Sequence, residues 1–475
     1  MSSVSALNSL LSSASTSTSG IDISSILQAA SGSASTGIDV TSAVNAAVTA
    51  AQAPETAWEN QESTLQSQST ALTQIQTDAT NLDNDMQTLN SLTGPLSART
   101  VSSSNSSIVT ASAASGSASG NHTVVVNSLA STASWASDAV ASATTPLATG
   151  SFTITGANGT VTTISTGTGT STLNDVANTI NSDNLGVTAS VITDANGARL
   201  AIVSNTSGQA ANFSVNSAAG GSLSFTQAVA GQNASLSVDG ITIASASNTV
   251  TGAVAGVTFN LLNASPGTNV SLTVAPDTSQ ASTTISQFVT DYNKAISDLN
   301  TQFTFSGTGE GVLATDSDVR SLQTTLESAI SYTATTASGT TTVPNLSALG
   351  ISVNDDGTLT LNSATLTNAL QNNFGDVQNF LQGTSLNGFA NTLDQQLTTY
   401  ISPADGAFTV DLQSISTEES GLQTDISNFE TNYITPLKAQ LQSEYSQAEI
   451  LLQQLPTEMQ QINTELGLNN NNSNG

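Results

Sequence analysis

Apolar side chains that recur every seven residues at both ends of the chain, and not between, restrict the fold more than any other feature. Near the N-terminus, Trp58, Leu65, Leu72, Ala79 and Met86 make one row, and Ile75, Leu82, Leu89 and Leu96 make a second. Near the C-terminus, Leu441, Ala448, Leu455 and Ile462 make one row, and Tyr445, Leu452, Met459 and Leu466 its companion. Seven-residue spacing places side chains on one stripe of a helix, and an apolar stripe needs a partner helix to cover it. Because the stripes lie at opposite ends, they suit each other, and the termini are expected to join in one stalk. The coiled-coil and assembly contacts are assigned to Trp58, Leu65, Leu72, Ile75, Leu82, Met86, Leu89, Leu441, Tyr445, Leu452, Leu455, Met459, Ile462 and Leu466.

Charge decides which partners are excluded. Acidic residues number 34 and basic residues 5 among 475, a formal net charge of −29. The five cations, Arg99, Arg199, Lys294, Arg320 and Lys438, are too scattered to make a phosphate-binding patch, so neither nucleic acid nor an anionic membrane surface is expected. No run of about 18 apolar residues occurs, so no membrane span is expected. The first twenty residues lack the basic and apolar regions of a cleavable signal. There is no cysteine, which removes disulfides and thiolate metal sites and fits export in an unfolded state.

Periodicity divides the chain. Residues 1–40 read as a leader without fixed structure, in which Gly20-Ile21-Asp22-Ile23-Ser24-Ser25 is echoed by Gly37-Ile38-Asp39-Val40-Thr41-Ser42. In each copy the Asp is a candidate helix cap. Helix is expected from Thr41 to Leu92, stopped by Gly94-Pro95, within an N-terminal coiled coil and leg helix over 41–98. Period-two runs such as Thr123–Val126, Ser151–Ile154 and Leu200–Val203 follow, with one helix around Leu173–Ile180. Asp239-Gly240 is a two-residue hairpin signal. We read residues 99–145 plus 231–277 as one β-rich head domain and 146–230 as a second inserted in it. A helical leg with a β-hairpin at Asn354–Gly357 is expected over 278–405, a C-terminal coiled coil over 406–466, and a polar tail over 467–475. Pro436 and Pro456 fall within that coiled coil, and the seam loses register near Pro436, so a break in the helix is expected there. The fold class is α+β and multidomain, with terminal coiled-coil helices and a helical leg enclosing the inserted β-rich heads.

Chemistry is conspicuously missing. One histidine, His122, and no cysteine exclude the usual triads and His-based metal sites, so no catalytic residue and no cofactor is assigned. His122 reads as a surface residue opening a strand, and Trp135 as a packing residue rather than a sugar platform. Asn354-Asp355-Asp356-Gly357 lacks the alternating ligands of a calcium loop, and Gly307-Thr308-Gly309-Glu310-Gly311 lacks the Lys of a phosphate loop.

Several segments, in order, resemble the flagellar filament cap, or hook-associated protein 2, family. They are Gly37–Val40, Leu96–Asn105, Gly120–Ala130, Thr172–Asn181, Val187–Gly208, Leu236–Gly256 with its Val-Asp-Gly hairpin, Phe288–Asn293, Gly311–Arg320 and Leu349–Leu361. The resemblance implies a non-enzymatic protein that forms a pentamer-like ring with itself at the distal tip of a growing filament. It implies secretion through the flagellar channel with help from a cytoplasmic export chaperone, and contacts with flagellin and with hook–filament junction proteins. Flagellin would be retained beneath the cap, folded and inserted. The apolar rows would then grip neighbouring subunits, each buried leucine contributing about 1.5–3 kcal/mol. Alternatives are a tip adhesin whose head binds host glycans or mucin, and another hook-associated or flagellin-like rod component.

Overall fold

Two helix starts and one hairpin show how local sequence sets the architecture of this α+β protein. The computed structural model describes residues 39–167, 171–218, 223–305, 309–334, 341–384 and 387–465. The expected leader and tail, and the first copy of the Gly-Ile-Asp repeat, therefore lie outside the described residues, apart from Asp39 and Val40. In the second copy Asp39 caps helix α1, Val40–Ala51, accepting from the Ser42 amide at 3.1 Å and the Ser42 hydroxyl at 2.6 Å. Thr172 and Asp175 close a full capping box on α3, Leu173–Ser182, whose Leu173, Val176, Ala177 and Ile180 are buried.

The chain divides into two units. One comprises Met1–Ala79, Asp298–Gln323 and Thr398–Gly475, and the other Thr80–Ser297 and Thr324–Leu397. Helix α2, Ala53–Asn90, begins after a one-residue interruption at Gln52 instead of continuing α1. Pro54 explains the step, since its ring and missing N–H are tolerated only in the first turn of a helix. The helix stops at Asn90, short of the expected Leu92. Gly94 completes the stop, because any Cβ there would sit 2.5 Å from the Thr88 carbonyl oxygen.

Between α2 and the next long helix, α4 (Thr278–Phe303), lie strands β1 to β15. Their bounds in the outer part are β1 Arg99–Ser103, β2 Val109–Ala113, β3 Gly120–Ser128, β11 Ala234–Val238, β12 Ile241–Ser245, β13 Thr249–Val254, β14 Val257–Leu261 and β15 Val270–Pro276. They form an antiparallel sheet in the order β1-β15-β3-β11-β12 and another in the order β13-β14-β2. Alternate residues of both, among them Val124, Val126, Leu236, Phe259 and Leu272, fill a single core. The inserted part comprises β4 Thr132–Ser137, β5 Gly150–Thr155, β6 Val161–Thr166, β7 Val187–Asp194, β8 Gly197–Ser207, β9 Ser214–Ser217 and β10 Phe225–Val229. Its sheets run β10-β4-β8-β7 and β6-β5-β9, and with α3 they enclose a separate core around Phe152, Ile180, Leu200 and Ile202.

The expected boundary at residue 146 placed Thr132–Ser137 in the outer domain. That strand instead pairs with β8 and β10, because Ala133 and Trp135 face the inserted core. Trp135 packs there and donates its indole N–H to the Phe213 carbonyl at 2.9 Å. Entry and exit of the insertion are tied by a Ser131–Gln232 bridge and by Asn212, whose side chain both donates to and accepts from Gly231.

At the Val-Asp-Gly hairpin, Asp239 and Gly240 have φ of 51° and 84°, the two positive values of a type I′ turn. The Asp239 carboxylate accepts from the Thr123 amide at 2.8 Å and meets His122 Nδ1 at 2.8 Å, so the lone histidine is a clamp on this turn. The His122 contact, followed by the Thr123 amide, holds the Asp239 carboxyl below its ordinary range. Asp239→Ala removes both contacts and puts a Cβ-bearing residue without a polar tip at positive φ. We expect exchange of the Thr123 amide to speed up roughly tenfold, since such a bond stabilises by about 1–1.5 kcal/mol. Amide exchange on the full chain measures this, and an unchanged Thr123 rate would refute the clamp.

The remaining elements are α5 Ser317–Ala329, hairpin β16 Ile351–Val353 with β17 Leu359–Leu361, α6 Ser363–Asn372, α7 Phe374–Gln382 and α8 Phe389–Ile401. Asn354–Gly357 is the hairpin turn, with Gly357 at φ 82°. Phe389 touches the rings of Phe288, Tyr332 and Phe380 at 5.6–6.0 Å and anchors the helical core of the second unit. The helices from Leu366 onward are separate elements. Gly383, at φ 76°, ends α7, and residues 402–406 separate α8 from α9, Ala407–Phe429.

Candidate assembly surfaces on the terminal helices

The C-terminal helical run needs one irregularity to keep its apolar stripe in line. Phe408, Ile415, Leu422 and Phe429 of α9 recur every seven residues. Ile434 follows after five, and Leu441 and Ala448 then resume the seven-residue rhythm. Where the step is five, Glu430–Ile434 forms a π turn, closed by Thr435 N–H donating to the Glu430 carbonyl. A π turn brings residues five apart into line, so the stripe crosses the irregular step without leaving its face. The turn also accommodates Pro436, which has no N–H to give, and α10, Thr435–Glu465, continues through Pro456. The expected break is thus a π turn within a continuous helical run.

The N- and C-terminal helices of the first unit pair antiparallel. On α1, Val44 and Val48 are buried with Ile434, and Val40, Ala51, Phe429, Leu441 and Tyr445 pack around them. Farther along, Trp58 meets Phe429 edge-on at 5.4 Å. Glu62 accepts from Gln423 at 2.7 Å, and Gln61 donates to Glu418 at 2.8 Å. Gln76 donates to Thr409 at 3.2 Å. Partner numbers fall as the N-terminal numbers rise, which fixes the antiparallel sense.

The sequence-assigned positions separate into three groups. Leu65, Leu72, Ile75, Leu82, Met86 and Leu89 are buried within the protomer. Their side chains are core of the folded protomer, whereas intervening positions of α2 are exposed. Trp58, Leu441 and Tyr445 are half-buried at the antiparallel pair. Ile462 is 53% exposed, as are its neighbours Ile450 at 55% and Leu451 at 61%. Leu452, Leu455 and Met459 lie on α10, and Leu466 lies outside the described residues. Leu451 and Ile462 are eleven apart, close to three full helical turns, and so share a face. Sequence reasoning missed Val44, Val48, Leu422, Phe429 and Ile434. The row Phe408, Ile415, Leu422 and Phe429, three seven-residue steps, was a readable signal for Leu422 and Phe429.

Carboxyl groups meet across several helix contacts. Asp83 of α2 lies near Asp394 of α8, and Asp85 of α2 near Asp291 of α4. Burial first, and the facing carboxyl second, push Asp83 and Asp85 each up to about 7. Asp411 of α9 is pushed up to about 6 by burial and by Asp316 and Asp318 at the start of α5. Glu55 of α2 is raised by burial and by Glu430 across the pair. Among the described residues no group of three or more His, Cys, Asp or Glu is placed to hold a metal ion, and no helix is long and apolar enough to cross a membrane.

Family comparisons follow the same division. A family model described as flagellar hook-associated protein 2 N-terminus matches residues 36–134, and one described as its C-terminus matches residues 231–457. The flagellin hook IN motif matches residues 151–206, inside the insertion. The B-type flagellar hook-associated protein 2 of Pseudomonas aeruginosa is 30% identical over 335 residues, which are 64% of this chain and 69% of that protein. The chain belongs to the flagellar hook-associated protein 2 family. The family member of Escherichia coli K12 is 28% identical over 328 residues, 64% of this chain and 68% of its own. In three dimensions the chain is similar to the crystal structure of the flagellar cap protein FliD D1-D2-D3 domains from Escherichia coli. The TM-score is 0.58 at 27% identity, over 73% of this chain and 99% of that one. The hook-associated protein 2 models leave residues 135–230 between them, and all but the first three residues of the β4–β10 insertion fall in that gap. This is a structural flagellar family, and the chain is a flagellar component.

Proposed function

We propose that the protein caps the distal tip of the growing flagellar filament as a ring of identical, pentamer-like subunits. It retains exported flagellin beneath the ring while each subunit folds and inserts. Secretion in an unfolded state, with a cytoplasmic export chaperone, brings it to the hook–filament junction proteins before flagellin arrives. No bond-making chemistry is involved. The similarity to the cap-protein structure over 99% of that chain carries the reading. In this reading the two β-rich parts form the head, and the helices of residues 278–405 form the leg. The distal part of α10, with Ile450, Leu451 and Ile462 exposed, makes the contacts between chains. Such contacts exchange between neighbours because only a few apolar side chains are buried in each.

Deletion of the gene in its host, followed by electron microscopy and measurement of flagellin in the medium, tests this directly. Bare hooks with flagellin shed as free subunits are expected, restored by the wild-type chain. Normal filaments on the deletion strain would overturn the proposal.

A further inference from the structure

A sheet edge is where a folded chain can still pair with another, and natural proteins guard their edges with charges, prolines or bulges. Strand β12 has none of these guards. It pairs with β11 alone, at the end of the five-stranded sheet and without a register shift. Its sequence, Ile241-Thr242-Ile243-Ala244-Ser245, holds no charge and no proline, and Ile241 is 69% exposed. By contrast, β13 and β10 are interrupted by register shifts, β7 ends on Asp194, and β1 begins on Arg99.

Charge singles out the same part of the chain. Residues 99–131 and 231–276 carry one acid, Asp239, against one arginine, Arg99, in a chain with 34 acids and a net charge of −29. Two copies repel through most of their surface and least through this one. Strand β6 is also bare, but it lies in the inserted part, where Asp138, Asp175, Asp183 and Asp194 outnumber Arg199.

Backbone register supplies the occupant. Asp239-Gly240 is a two-residue turn, so Val238 and Ile241 bond to each other beside it, and Ile243 and Ser245 repeat that sense toward β11. The N–H and C=O groups of Thr242 and Ala244 therefore point away from β11, and no strand among the described residues takes them up. The free edge ends at Ala246, whose carbonyl accepts from the Ser207 hydroxyl at 2.6 Å. Thr242 and Ala244 thus flank Ile243 symmetrically. An antiparallel edge with free groups in the same spacing matches them, and β12 is itself such an edge.

We propose that β12 is a self-docking edge: two copies of the chain pair antiparallel through Ile241–Ser245 about a two-fold axis at Ile243. Thr242 then faces Ala244 of the second copy, and each such pair exchanges both N–H···O bonds. Ile243 meets its own copy across the axis, with Ile241 on the same face. The contact of His122 and the Thr123 amide with Asp239 fixes the turn from which β12 leaves, so the edge is set before a second copy arrives. A two-fold contact joins copies pairwise and cannot by itself close a ring. It is separate from the α10 face and stands whether or not the cap reading holds.

The test is sedimentation velocity of the full chain over a concentration series, with amide exchange read across residues 241–245 in the same samples. Dimer should grow with concentration, and exchange at Thr242 and Ala244 should slow roughly tenfold from the dilute to the concentrated sample. Added salt should favour the dimer, because screening weakens the repulsion between two acidic chains, whereas a contact built on ion pairs would weaken. Thr242→Pro removes an outward N–H, a change that edge strands tolerate, so it should abolish the dimer and leave the melting temperature unchanged. Ile241→Asp should weaken the dimer roughly tenfold by bringing a charge into the apolar contact, and Val161→Asp on β6, at a side chain 60% exposed, should not. The proposal fails if Thr242 and Ala244 exchange at one rate at every concentration, or if Thr242→Pro self-associates like the wild type. Should that variant not fold, exchange in the wild type and dimerisation of Ile241→Asp still decide.

Discussion

Replacing Leu82 and Leu89 together with Asp should dismantle the helical core of the second unit, not merely release the protein from its neighbours. Both side chains are fully buried on α2. Truncating one buried leucine costs about 2–5 kcal/mol, and a buried unpaired carboxylate adds a desolvation cost of several more. Two such changes reach the 5–15 kcal/mol by which a domain is typically stable. The end of α2 is also where Gln382 of α7 donates to the Leu89 and Ser91 carbonyls, at 3.0 and 3.1 Å, covering acceptors the helix cannot satisfy itself. Disturbing Leu89 therefore uncouples α7 as well. Amide exchange on the full chain should show protection lost across residues 80–90 and 374–397. The outer β core around Val124, Leu236 and Phe259 shares none of these contacts and should keep its protection. A double variant that melts like the wild type while shedding flagellin would restore these leucines to the assembly surface and sink the prediction.

The burial of these leucines marks the boundary of what the sequence discloses. A heptad row states that a helix face is covered, and it is silent on whether the cover belongs to the same chain. Leu65 through Leu89 are indistinguishable in pattern from an intersubunit seam, and only the burial within the protomer decides between the two. Local signals carried further. Asp39, Thr172 and Asp239-Gly240 act where they stand, through hydrogen bonds to residues close in sequence or turn geometry, so the caps and the hairpin are readable directly. The π turn was half legible. The five-residue step from Phe429 to Ile434 is present in the sequence, but Pro436 suggests a break until a wide turn is seen absorbing both. The assignment of β4 to the inserted core was hidden for another reason. Thr132–Ser137 pairs with strands some sixty and ninety residues away, and no local pattern encodes such partners.

Exposed apolar positions on α10 give the complementary experiment. Leu451→Asp with Ile462→Asp should abolish cap function while leaving the protomer's stability unchanged within about 0.5 kcal/mol, as surface substitutions generally do. Both side chains are more than half exposed and share one helix face, so the protomer loses no buried contact. In the proposed ring the same face would carry apolar contact, and a carboxylate there would be desolvated on each of the identical subunits. Symmetry multiplies the cost, because one substitution appears at every copy of the interface. Expression of the double variant in the deletion strain should leave shed flagellin at the level of the strain without the gene. The purified variant should melt with the wild type. Substituting Leu92, which is 69% exposed in the turn after α2, provides a matched surface control expected to support normal filaments. Normal filaments with the α10 variant would remove this face from assembly and return the question to the edges of the β-rich parts. A lowered melting temperature would show instead that the face is covered within its own chain. The two readouts together separate subunit contact from folding, which the leucines of α2 cannot do.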